Sequence, residues 1–88
     1  RLPVVIGELG NGGNQAGQNM LTLRQAQAAA AERKELKGNV VFVKTTAFAR
    51  AREESPNVGH GHHWFGNAES YFLIGDALGR ALLRLTVK

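Results

Sequence analysis

Val40-Val41-Phe42-Val43 (VVFV), read against Leu2-Pro3-Val4-Val5-Ile6 (LPVVI) near the start, decides the fold of this chain. Both runs are of strand length, and both are rich in β-branched side chains. Their hydrophobicity is continuous and does not alternate, the pattern of a strand covered on both faces in a parallel sheet. Pro3 stands at the start of the first run, where a missing backbone donor is tolerated.

The segment between the runs must then cross over. Residues 7–18 form a loop that holds Gly7, Gly10, Gly12, Gly13 and Gly17. Asn19 is read as the N-cap of a helix over residues 20–36, whose alanine-rich body has high helix propensity. Leu23, Ala26, Ala30 and Arg33 are expected on its inward stripe, and Gly38-Asn39 should stop it. After VVFV, residues 44–66 show no sustained period beyond a helical turn around residues 47–54. Asn67 is expected to cap a last helix over residues 68–85. Ala68, Tyr71, Gly75, Leu78, Leu82 and Leu85 should form its stripe, widened by Phe72 and Leu83. Gly75 and Gly79 each cost about 1 kcal/mol of helix propensity relative to alanine, a cost that close approach to a neighbour would explain.

The order is therefore strand–helix–strand–helix: one α/β domain over residues 1–88, with two short parallel strands in a right-handed βαβ unit and a closing helix. Two strands make a poor sheet, because three or more are needed for independent stability. Self-association through strand edges is one remedy, and neighbours supplied by a longer parent is the other. The chain opens on Arg1 and not on methionine, so a processed piece or a fragment is expected.

Composition limits the function classes. The chain has 88 residues, 43% hydrophobic and 20% charged, which is a globular composition. With no cysteine, it has no disulfide framework, no thiolate zinc site and no cysteine nucleophile. No apolar run approaches the roughly 20 residues that span a bilayer, and no stretch reads as a signal peptide. The net charge of +4 invites a nucleic-acid reading. Yet residues 1–44 hold six basic and three acidic side chains, and residues 45–88 hold five and four, so the excess is dispersed. The one local group, Arg33, Lys34 and Lys37, reads as a solvated helix face. A basic module for nucleic acid or polyanion, using these three with Arg24, stays as the alternative.

Ligands of parallel sheets bind at the carboxyl ends of strands, which selects the glycine loop and residues 45–66. The glycine loop fits no nucleotide motif. A P-loop aligned on Gly7 and Gly12 has Gly13-Asn14 where Lys-Ser/Thr is needed, and Gln15 takes the third glycine of a dinucleotide fingerprint. The second loop holds every histidine of the chain: His60, His62 and His63, in GHGHHWFGN just before the last helix. Imidazoles suit zinc, copper or nickel, but no carboxylate stands at ligand spacing, so no metal and no cofactor is expected. A histidine in such a loop can also serve as general base to a serine. The serines here, Ser55 and Ser70, sit in no nucleophile motif.

LPVVIGELG, the Gln25–Gln27 region, VVFVKT and HHWFGNAESYFLIGDALGRAL together resemble the C-terminal half of SGNH-type carbohydrate esterases, closest to sialate O-acetylesterase and acetylxylan-esterase-like proteins. The likeness spans nearly the whole chain and is most specific over residues 62–82. It implies part of a flavodoxin-like α/β/α fold and a serine hydrolase that removes acetyl groups from sugars. The family's catalytic histidine stands just before the last helix, which carries a Leu/Ile-Gly pair matched by Ile74-Gly75. That points to His63, with His62 as the alternative, as the general base. The family's aspartate three residues before the histidine is replaced by His60 (or by Gly59, if His62 is the base), leaving Glu53 or Glu54 to orient it. The nucleophile, oxyanion-hole and Asn blocks belong to the family's N-terminal half and do not occur here. The resemblance thus implies an acetylated carbohydrate as substrate of the intact parent and a chain inactive alone.

Overall fold

The computed structural model describes residues 2–87. Strand β1, Val4–Gly7, and strand β2, Val40–Val43, pair in parallel with Val4 opposite Val40 and Gly7 opposite Val43. Helix α1, Gln18–Ala31, makes the crossover, and helix α2, Ala68–Thr86, closes the chain. The protein is thus α/β, a small βαβα unit with two parallel strands and two main helices. Helix α2 packs against both strands and α1 against β2.

Several boundaries differ from the sequence reading. Helix α1 begins after Gly17, which has no side chain to cap it, so Asn19 lies inside the helix. It ends at Ala31, well short of residue 36. The Lys37 and Val40 amides instead close turns onto the Arg33 and Leu36 carbonyls, each at 3.0 Å. A longer helix would not let Asn39 reach β1. There it accepts from the Val4 amide at 2.9 Å and donates to the Leu2 carbonyl at 2.6 Å. The sheet register overrides helix propensity. Asn67 does cap α2, its side chain accepting from the Ser70 amide at 3.1 Å.

Both helical stripes are rotated from the expected ones. On α1 the buried residues are Arg24 and Ala31, while Leu23 and Ala26 face solvent. On α2 Ser70 and Ala81 are buried, with Ile74, Ala77 and Leu78 partly covered. Tyr71, Phe72, Leu82 and Leu83 are exposed. A Cβ on Gly75 or Gly79 would meet nothing within 4 Å, so no neighbour approaches the backbone there. Polar work explains both rotations: Arg24 and Ser70 satisfy carbonyls inside, and the helices turn to deliver them.

The interior is correspondingly small. Among the described residues the buried hydrophobics are Ala31 and Ala81 alone, and all of β2 is only half-buried. The radius of gyration is 14.1 Å, against about 12 Å for a compact domain of this length. The surface of 6125 Å² likewise exceeds the roughly 5,000 Å² usual at this mass. Among the described residues each strand has one neighbour only.

Candidate functional site

The loops at the carboxyl ends of the two strands are stitched together by side chains. Glu8, directly after β1, accepts through one carboxylate oxygen from the Thr45 amide at 2.8 Å, the Thr46 amide at 2.9 Å and the Thr46 hydroxyl at 2.7 Å. Burial opposes ionisation of Glu8, but those three donors and the nearby Arg24 charge outweigh it and hold its pKa below the ordinary carboxylate value. Gly10 passes so close to Thr45 that a Cβ would overlap the hydroxyl and lie 2.7 Å from the Thr46 nitrogen.

Arg24 and Gln27 on α1 shape the glycine loop from the other side. The Arg24 guanidinium donates to the carbonyls of Leu9 at 2.6 Å, Gly13 at 3.1 Å and Asn11 at 3.2 Å. Gln27 accepts from the Leu9 amide at 2.9 Å and donates to the Gly7 carbonyl at 3.1 Å. The glycine loop is therefore held at five backbone groups. Arg24 is committed and buried, out of reach of a polyanion. Arg33 pairs with Glu35 and Lys37 with Glu32, so two members of the local basic group are already matched by acids.

The histidine loop precedes α2 as a left-handed turn. Trp64 and Phe65 have φ of 55° and 54°, and Gly66 follows at 66°. Left-handed geometry costs about 1–2 kcal/mol for each non-glycine residue, so the turn must be held from outside. The Asn57 amide donates to the Phe65 carbonyl at 2.9 Å, and the Asn67 amide to the Trp64 carbonyl at 3.0 Å. The Tyr71 hydroxyl, from the first turn of α2, donates to the His63 carbonyl at 2.5 Å.

The turn gathers the three imidazoles on the surface. The rings of His62 and His63 lie 4.1 Å apart, and His60 lies 5.8 and 6.2 Å from them. No three His, Cys, Asp or Glu side chains among the described residues are arranged to hold a metal ion. Neither Glu53 nor Glu54 pairs with a histidine, so among the described residues no orienting acid meets His62 or His63. The serines are committed elsewhere. Ser70 is fully buried and its hydroxyl donates to the Phe48 carbonyl at 2.7 Å. Ser55 donates to the Ala51 carbonyl at 2.7 Å and accepts from the Asn67 amide group at 3.0 Å.

The glycine loop and the histidine turn face each other across a cleft of about 720 Å³. Its lining includes Gly13, Asn14, Gln15, Arg52, Glu53 and Trp64. The cleft lies at the carboxyl ends of the strands, where the topology predicts a ligand. The histidines stand beside it: Trp64, the residue after His63, reaches the wall, and the imidazoles do not. Sequence reasoning missed the Glu8, Arg24, Gln27 and Thr45 network that builds this cleft. The one available signal was Arg24 inside an otherwise uncharged helical segment. No helix among the described residues is long and apolar enough to cross a membrane. No protein-family model, curated protein or solved structure matches the chain.

Proposed function

We propose that this chain is the C-terminal part of an SGNH-type carbohydrate O-acetylesterase and carries its general-base histidine, His63, with His62 as the alternative. The observation that carries the reading is the constrained left-handed turn, which pins the His63 backbone against the N-terminal end of α2 beside a cleft at the strand ends. Strain of this kind persists only where surrounding structure over-determines it, and it concentrates at functional sites. The cleft has the chemistry of a sugar site: the Trp64 ring offers an apolar face, and Asn14, Gln15, Arg52 and Glu53 offer hydrogen-bonding groups for hydroxyls.

In this role the histidine takes the proton from a serine hydroxyl as that oxygen attacks the acetyl carbonyl, then returns it to the departing sugar oxygen. Ser55 and Ser70 are bound to backbone carbonyls and are not that serine. The nucleophile and the oxyanion donors come from the parent's N-terminal half, which also supplies neighbours for the free strand edges. The small interior and the half-buried strands favour such a larger body.

The test is expression of this chain in continuity with the polypeptide encoded upstream, followed by acetate release from acetylated xylan and O-acetylated sialate. The expected result is hydrolysis that His63→Ala lowers by about 10³-fold or more. Loss on His62→Ala instead moves the base one residue. An extended protein that releases no acetate, or whose rate ignores both substitutions, overturns the reading. The isolated chain is expected to cleave p-nitrophenyl acetate no faster than an equal concentration of histidine.

A further inference from the structure

The first turn of α2 reaches back to two separate segments of the connection that follows β2. Ser70 sends its hydroxyl to the Phe48 carbonyl at 2.7 Å, and Tyr71, the next residue, sends its own to the His63 carbonyl at 2.5 Å. The two bonds differ in setting. Ser70 is fully buried, so its bond ties α2 to the body of the fold. Tyr71 is 47% exposed, and its bond runs along the surface to the histidine turn.

The oxygen that Tyr71 holds belongs to the peptide joining His63 to Trp64. The plane of that peptide sets ψ of His63, 30°, and φ of Trp64, 55°. Rotating it would release Trp64 from the left-handed region, which is costly for a residue with a side chain. A restraint on this oxygen therefore opposes a rotation that the strain favours. The next two carbonyls have donors of their own: the Asn67 amide binds that of Trp64 at 3.0 Å, and the Asn57 amide binds that of Phe65 at 2.9 Å. Losing the Tyr71 hydroxyl thus leaves the Trp64 side of the turn, which lines the cleft, anchored and loosens the His63 side.

We propose that Tyr71 is a positioning residue: by holding the His63 carbonyl it fixes the backbone from which the His63 imidazole is presented beside the cleft. The proposal rests on the reading of His63 as the general base. Tyr71 does not line the cleft and acts through His63 alone. A base works only within hydrogen-bond reach of the proton it takes, and a misplacement of about 1 Å can cost on the order of 10²-fold in rate. Because the bond lies at the surface, its loss leaves no buried group unsatisfied, and folding depends on it less than alignment does.

Steady-state acetate release by the extended protein, compared among wild type, Tyr71→Phe, Ser70→Ala and His63→Ala, tests it. Tyr71→Phe keeps the ring and removes only the hydroxyl, and circular dichroism verifies that it folds. Its kcat is expected to fall by about tenfold or more with KM within about twofold of wild type. Ser70→Ala, which also removes a hydroxyl-to-carbonyl bond from the first turn of α2, is expected to be the less stable of the two and yet to keep kcat. Full kcat in Tyr71→Phe, with hydrolysis still abolished by His63→Ala, overturns this proposal and leaves the esterase reading standing. So does a raised KM at unchanged kcat, or an equal partial fall in kcat for Ser70→Ala, which would mean general loosening of α2. Hydrolysis that depends on His62 and not on His63 overturns it too. A wild-type extended protein that releases no acetate overturns both.

Discussion

Glu8 accepts from Thr45 twice: the Thr45 amide donates to the Glu8 carboxylate at 2.8 Å, and the Thr45 hydroxyl donates to the Glu8 carbonyl at 2.8 Å. This pair of bonds locks the chain leaving β1 to the chain leaving β2, next to Thr46, which lines the cleft. It matters because the sheet has two strands among the described residues, and its ladder alone is a weak clamp.

Acid should loosen that lock. The folded pKa of Glu8 lies below its unfolded value. Its stabilisation is therefore complete above the unfolded value of about 4.3 and is lost as pH falls through the lower folded value. Glu8→Gln keeps an acceptor oxygen but removes the titration. The stability gap between wild type and Glu8→Gln should shrink as pH is lowered from about 6 to about 3. Urea unfolding at several pH values measures this gap, and a gap that does not narrow contradicts the assignment.

Arg24 should be the most sensitive single position in the chain. Three carbonyls of the glycine loop depend on one buried guanidinium. Arg24→Met leaves all three unpaired and should cost about 3 kcal/mol. Arg24→Lys should recover little, because one ammonium cannot reach three diverging acceptors as the planar fork does. Thermal unfolding of both variants checks the ranking, and a lysine variant as stable as wild type would refute it.

Element types were legible in the sequence because they rest on local pattern. The β-branched runs gave both strands, the alanine-rich body gave α1, and Asn67 gave the start of α2. The inward faces were not legible. Placing Leu23 and Tyr71 inward followed from hydrophobicity, whereas the helices bury Arg24 and Ser70, whose partners lie eleven or more residues away. The same holds for the site. The histidine cluster is visible as letters, but the left-handed turn that sets it depends on Asn57 and Tyr71, which carry no local signature. Trp64 and Phe65 even argue against it, since neither favours positive φ.

Gly66 should tolerate no side chain. Its φ is 66°, and a Cβ would lie 2.7 Å from the Asn57 side-chain nitrogen. Gly66→Ala therefore combines backbone strain with a clash in the segment that sets His63, and should cost at least about 1–2 kcal/mol. Gly59→Ala, where a Cβ meets nothing within 4 Å, is the control and should change stability little. Equal effects of the two substitutions on the melting temperature would mean that the turn is not constrained as described.

Ser70 separates structure from catalysis. Its hydroxyl is fully buried and donates to the Phe48 carbonyl, tying α2 to the short turn Thr46–Phe48 after β2. Ser70→Ala removes the donor and strands a carbonyl, which should cost about 1–2 kcal/mol. It should leave acetate release by the extended protein within about twofold of wild type at a temperature where both are folded, because a hydroxyl bound inward cannot attack an ester. A variant that stays stable but loses hydrolysis would make Ser70 the nucleophile. It would also mean that α2 must move to expose it, contrary to the packing described above.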